Sequence, residues 1–287
     1  MILVTGAGGF IGRSLGNRLT RSDLSWRPYH GRITSAAALR DQLVDVDTVI
    51  HLAGAEGRGR GRLLRHVDVA GTKRLLEEAR HADVKRIIVA SRIGANANAT
   101  HALLRAKGEV ERLVRHGGIP YTIIRSSTLF GLGDRFTEII LGLALLSWPI
   151  VWLPGGGETA MQPLWVEDYA RCLTAALDQD DLINKTITVA GDERFHYRDL
   201  VRHILTMESV HRIPLKLPMG ILRPSAALFF GWWYWPPVSR FSVDRFFVPE
   251  VAELDTVRYY FGFRPARFTE TMAYLHRRGM RWRIFRR

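Results

Sequence analysis

Val4-Thr5-Gly6-Ala7-Gly8-Gly9-Phe10-Ile11-Gly12 decides how the rest of the chain is read. It closes a short β-branched run, Ile2–Thr5, and opens a segment, Arg13–Thr20, with the apolar spacing of a helix. In a strand-turn-helix setting, Gly6 permits the tight turn, Gly9 lets the backbone approach a pyrophosphate, and Gly12 lets helix and strand pack closely. The free N–H groups and the dipole at the helix start then favour the diphosphate's negative charge. A glycine triplet alone is weak; the flanking strand and helix make this one a dinucleotide site.

Which dinucleotide turns on the segment that follows. NAD sites place a carboxylate about 20 residues beyond the first glycine, on the ribose 2′-OH. Between Leu24 and Arg40 there is no Asp or Glu; Arg27, His30 and Arg32 stand there instead. A guanidinium suits a 2′-phosphate, so NADP(H) is expected, with Arg27 as its ligand and NAD(H) as the alternative. Pro28 within Leu24–Arg32 demotes that segment as a strand, and the first βαβ unit is expected to be shortened.

Working outward, Thr48–Ala53, Arg86–Ser91, Tyr121–Arg125 and Lys185–Ala190 are further β-branched runs. They alternate with helical patterns at Gly71–His81 and Leu103–His116. Such alternation builds a parallel sheet, so the fold class is α/β, a Rossmann-type doubly wound parallel sheet with a small C-terminal lobe. The expected division is 1–191 for the dinucleotide-binding domain and 192–287 for the lobe. The lobe holds a helix at His196–Thr206, the aromatic run Phe229–Trp235, an amphipathic helix at Phe268–Arg278 and the arginine-rich tail Arg277–Arg287.

Composition narrows the function classes. With 287 residues, 47% of them apolar, a sizeable core can be buried. The single cysteine, Cys172, excludes an internal disulfide and a multi-cysteine zinc site, and its helical setting predicts a packed thiol. No His-x-x-x-His pair occurs, so no metal is expected. The absence of a Gly-x-Ser-x-Gly elbow argues against a hydrolase. The strand pattern starts at Ile2, which leads to the expectation of a cytoplasmic protein. No stretch reaches the ~18 uninterrupted apolar residues of a membrane span. The net charge of +13, with lysine only at 73, 85, 107, 185 and 216, is a solvated surface or suits an acidic partner.

The motifs together resemble the extended and atypical short-chain dehydrogenase/reductase families. Thr5–Gly12 is similar to their glycine signature, His51-Leu52-Ala53-Gly54 to the turn lining adenine and ribose, and Val67-Asp68-Val69-Ala70-Gly71-Thr72 to their Asn-Val-x-Gly-Thr helix start, with Asp68 for Asn. Arg125–Gly131 is similar to their Arg-Pro-x-x-x-x-Gly strand end, with Ser126 for Pro, and Gln162–Asp168 to their Pro-Val-x-Val-x-Asp segment. Gly94-Ala95, Lys107-Gly108-Glu109 and Leu153–Gly157 look most like the branch containing the NADPH-binding accessory subunit of respiratory complex I and its bacterial relatives. The resemblance implies cofactor contacts at Thr5, Gly6, Gly9, Phe10, Ile11, Gly12, Leu52, Ala53, Gly54, Ser91, Lys107 and Ser126. Active members use a Tyr-x-x-x-Lys pair in which the tyrosine moves the proton. Here Lys107 is in place, but Leu103 stands where the tyrosine would be. Ser91 and Lys107 are therefore the catalytic candidates, His101 and Thr100 could supply a proton only if the backbone shifted, and Lys107 is read as a ribose ligand.

Three functional readings follow. The first is an NADP(H)-binding, non-catalytic accessory or scaffold subunit on a membrane-associated complex. It would dock on a membrane protein complex or anionic lipid through Phe229–Trp235 and Arg277–Arg287, since Trp and Arg suit both, and it would sit peripherally on the cytoplasmic face. The second is an NADPH-dependent reductase of an apolar substrate such as a quinone, isoprenoid or pigment precursor. The third, nucleic-acid binding through the arginine patches, has the charge but no recognisable module; Gly57-Arg58-Gly59-Arg60-Gly61-Arg62 is read separately, as an anion clamp or a solvated basic loop.

Overall fold

The β-branched runs fold into neighbouring strands. The computed structural model describes residues 1–58, 61–221, 224, 228 and 240–276. Its strands are β1 (Ile2–Thr5), β2 (Trp26–Pro28), β3 (Thr48–His51), β4 (Arg86–Arg92), β5 (Tyr121–Ser126), β6 (Leu129–Phe130), β7 (Ile150–Pro154), β8 (Ala160–Met161), β9 (Leu164–Trp165), β10 (Lys185–Val189), β11 (Phe195–His196) and β12 (Ile213–Leu217). Six of them form one sheet in the order β2-β1-β3-β4-β5-β10, and every pairing in it is parallel. The order reverses at β1, which opens the crevice beyond the carboxyl ends of β1 and β3 where ligands bind in such sheets. As expected, the first half is short: β2 is three residues long and lies at the sheet edge.

The helices are α1 (Phe10–Arg21), α2 (Ala36–Leu43), α3 (Gly61–Leu63), α4 (Gly71–His81), α5 (Ala102–Arg115), α6 (Thr137–Leu146), α7 (Val166–Ala175), α8 (Tyr197–Met207), α9 (Arg240–Asp244) and α10 (Thr256–Phe261). Strand alternation sends Leu3, Val49, Ile87, Val89 and Ile123 to one face, where they meet Leu39, Leu43, Leu75, Val110 and Val114 of α2, α4 and α5. Val4, Ile50, Ile88 and Ile124 are fully buried on the other. There α1 packs on α7, joined by the Ser14 hydroxyl donating to Glu167 at 2.9 Å. Two-sided burial explains the near-continuous apolar strands. Cys172 of α7 is buried, and burial pushes its thiol pKa up, as a packed thiol requires.

The chain divides into two compact units: 1–56, 60–126 and 166–189 in the first, 57–59, 127–165 and 190–287 in the second. The division is not one cut at 191. After β5 the chain leaves the sheet, contributes 127–165 to the second unit, and returns through α7 to β10. The second unit has its own core, in which α6 and α8 place Phe136, Ile140, Leu141, Leu200 and Ile204 around Phe130 and Phe268.

One expectation in the second unit needs correction. Over the described part of Phe268–Arg278, residues 268–276, there is no α-helix: Phe268–Glu270 and Ala273–Leu275 are single 3-10 turns. The helical spacing of Phe268, Met272 and Leu275 is real, and all three are buried. Phe136–Trp152 splits into α6 and β7 around Pro149, with Trp148 and Trp152 exposed. The Phe229–Trp235 run and the Arg277–Arg287 tail lie outside the described residues. Among the described residues, no helix is long and apolar enough to cross a membrane.

Candidate functional site

The glycine-rich turn is built from backbone. Gly6 sits at φ +74°, and a Cβ on it would come within 2.8 Å of the Ala53 amide nitrogen. A Cβ on Gly12 would lie 2.4 Å from the Gly6 carbonyl oxygen. Gly9 caps α1 in an extended conformation with no capping side chain, and its own N–H donates to the Gly6 carbonyl at 3.0 Å. The amides of Phe10, Ile11 and Gly12 have no hydrogen-bond acceptor among the described residues. A helix start that leaves its first donors open and carries no side chain over them fits a diphosphate.

Beneath this turn a buried relay ties β1 to β3. The Thr5 hydroxyl accepts the Leu52 and Ala53 amides, both at 3.3 Å, and lies 2.7 Å from His51 Nδ1. His51 Nε2 lies 2.9 Å from the Thr72 hydroxyl, which itself donates to the Asp68 carbonyl. Thr72 must therefore accept from His51 Nε2–H, and His51 Nδ1 accepts from Thr5. The relay needs a neutral imidazole, and complete burial, with the nearby Lys107 charge, pushes the His51 pKa down to about 3.

Lys107 is engaged in the same neighbourhood. Leu64–Ala70 is a π-helical stretch running into α4, a rare form that is frequent at functional sites. It carries Asp68, 1% exposed, whose carboxylate accepts the Ala55 amide at 2.8 Å and Lys107 Nζ at 3.2 Å. A Cβ on Gly54 would stand 3.0 Å from Asp68 Oδ1 and 3.4 Å from Lys107 Nζ. The His51–Gly54 turn therefore lies against the pair.

Ser91 and Ser126 stand at the carboxyl ends of β4 and β5. Ser91 donates to Glu111 at 2.6 Å. Glu111 is fully buried and also receives Arg125, at 2.8 and 2.6 Å, and Arg115 at 2.7 Å. The Ser126 hydroxyl turns to the Ser91 carbonyl at 3.5 Å. Leu103 of α5 is 2% exposed. Beside Lys107, Gly108 admits a crossing backbone: a Cβ there would fall 2.1 Å from the Ala97 nitrogen, and Asn96 N–H donates to the Leu104 carbonyl at 3.1 Å.

Arg27 is placed differently from the expectation. Its guanidinium donates to the carbonyls of Gln42 and Val44, at 2.8 and 2.5 Å, closing the C-terminal end of α2. Carbonyls left open at a helix end attract a guanidinium, and this use is invisible in the linear sequence. Beyond β2, Tyr29 donates to the Arg32 carbonyl at 2.9 Å. The exposed Arg32 guanidinium makes no hydrogen bond or ion pair among the described residues.

Thr5, Gly6, Leu52, Ala53, Gly54 and Lys107 are thus brought together, Ser91 and Ser126 adjoin each other, and Arg27 faces elsewhere. Sequence reasoning did not find the roles of His51, Thr72 and Glu111. Asp68 was legible only as a departure from an expected Asn.

Residues 19–131, from α1 through β6, match the family model described as NAD(P)H-binding. The chain is 28% identical over 219 residues to the Mus musculus NADH dehydrogenase (ubiquinone) 1 alpha subcomplex subunit 9, mitochondrial, covering 76% of this chain and 58% of that protein. It is 22% identical over 272 residues to the Neurospora crassa NADH-ubiquinone oxidoreductase 40 kDa subunit, mitochondrial, covering 87% and 71%. Among solved structures, MoeE5 in complex with UDP-glucose and NAD superposes with a TM-score of 0.74 at 20% identity, covering 94% of this chain and 95% of that one. That likeness concerns the fold. The chain has a Rossmann-type architecture, its residues 19–131 match an NAD(P)H-binding family model, and its curated relatives include proteins named as subunits of NADH dehydrogenase and of NADH-ubiquinone oxidoreductase.

Proposed function

We propose that this chain is an NADP(H)-binding accessory subunit whose nucleotide is structural rather than catalytic, and that it docks peripherally on a membrane-associated complex at the cytoplasmic face. One observation carries the reading: Leu103 is buried where a proton-donating tyrosine would stand. A leucine has no proton to give. The other two expected participants are already engaged, Lys107 with Asp68 and Ser91 with Glu111. The mouse and Neurospora relatives, both named as subunits, support the docking part.

In this reading the amides of Phe10, Ile11 and Gly12 hold the diphosphate, the Leu52–Gly54 turn borders the adenosine, and Lys107 stands by the nicotinamide ribose. Arg32 replaces Arg27 as the ligand of the 2′-phosphate, supported by its open guanidinium and by the lack of a carboxylate after β2. A bound nicotinamide would supply hydride chemistry; the residues described here hold and orient the nucleotide.

The test is mass spectrometry of nucleotide released from the purified full chain, paired with an anaerobic assay of NADPH oxidation. Tightly held, chemically idle NADP(H) is expected. Steady oxidation, with loss of the rate in Lys107→Ala, would replace this reading with a reductase acting on an apolar substrate.

A further inference from the structure

Between α4 and α5, on the outer face of the first unit, runs an open groove of about 500 Å³. Leu76 and Leu113 supply its apolar surface, and Lys73, Arg80, Arg112 and His116 line it. Its one carboxylate, Glu77, is paired at 2.9 Å with Arg74. Among the described residues, Lys73, Arg80 and Arg112 form no ion pair, although Arg40, Arg86, Arg92, Arg115 and Arg125 of the same unit each have a carboxylate within reach. The groove is therefore an apolar strip framed by uncompensated cations.

We infer that it is the docking groove for an acidic amphipathic helix of a partner protein, leucine-like anchors on Leu76 and Leu113 and carboxylates on Lys73, Arg80 and Arg112. A third helix laid between two others is a standard way to cover an apolar strip, and charge complementarity fixes the partner's sign. A second copy of this chain does not fit. A two-fold contact sets each patch against itself, which would bring the same cations together. Nucleic acid is disfavoured because no Phe, Tyr or Trp lines the groove as a stacking platform for bases. The inference draws on the accessory reading only in expecting a protein partner.

The probe is a fluorescein-labelled 20-residue peptide with leucines at helical spacing and glutamates elsewhere, compared with the same peptide carrying glutamines. Anisotropy is measured on the full chain at physiological salt. The acidic peptide should bind and the glutamine peptide should not. Arg80→Ala/Arg112→Ala should weaken binding by roughly ten-fold or more, while Arg258→Ala/Arg264→Ala, exposed arginines of the second unit, should leave it unchanged. Equal binding by both double variants would reduce the effect to overall charge and overturn the proposal. So would self-association, or binding to phosphatidylglycerol vesicles, as the interaction that Arg80→Ala/Arg112→Ala removes. Released nucleotide is assayed on the same preparations, so an idle groove and an empty nucleotide site are told apart.

Discussion

The two ends of the candidate site are built on opposite principles. At the glycine-rich end the donors are backbone amides and they are left open: Phe10, Ile11 and Gly12 have no acceptor among the described residues. At the other end the donors are side chains and each is engaged, Lys107 by Asp68 and Ser91 by Glu111. An anion site works by keeping donors free, whereas a proton relay works by keeping a titratable group poised against substrate. The first condition is met here. On the accessory reading, the second is replaced by Leu103 and two buried pairs.

The largest effect that sharpens the contrast is expected at Gly6. Valine there would meet both a positive φ and the Ala53 backbone, so Gly6→Val should lower NADPH affinity roughly a hundred-fold or more. Titration of cofactor fluorescence would read it, and retained affinity would break the assignment of the open end. At the closed end, Asp68→Ala leaves Lys107 and the Ala55 amide without their acceptor. Lys107 is partly screened, so a loss of about 2 kcal/mol of stability is expected in urea denaturation, with Asp68→Asn losing about half as much.

The next effect is a pH dependence. The unfolded chain protonates His51 near 6.5, whereas the folded protein holds it neutral down to about 3. Its stability contribution is therefore fully present above 6.5 and is lost progressively as pH falls toward 3. About 2 kcal/mol should be gone by pH 5, and His51→Gln should flatten that part of the melting profile. The smallest effect separates two arginines. Arg32→Ala should weaken NADPH about ten-fold and NADH little. Arg27→Ala should leave the ratio alone and cost about 1 kcal/mol of stability at the end of α2. The reverse pattern in binding and melting measurements would restore Arg27 to the site.

Patterns that act within one segment were legible in the sequence. The glycine turn, the two-sided apolar strands and the α4 and α5 periodicities all follow from neighbours along the chain. The pairing of Lys107 with Asp68 was not, because it joins residues 39 apart through a π-helical stretch that no periodicity announces. Arg27 misled for a related reason: composition placed a cation near the expected phosphate, while the nearest unsatisfied carbonyls belonged to α2. The assignment of 127–165 to the second unit was hidden too, because its strand and helix signals match those of the sheet it leaves.

The carboxylate of Glu111, shared among Ser91, Arg125 and Arg115, also bears on the protein's evolutionary freedom. On the accessory reading, a tyrosine at 103 would not by itself rebuild a relay. Ser91 would have to leave Glu111, and Lys107 would have to leave Asp68. Removing either carboxylate first strands cations in a largely buried setting, a change that destabilises before it offers any activity. On that reading, a path to catalysis that starts at either carboxylate begins with a loss, and the stability of the fold would hold the site idle.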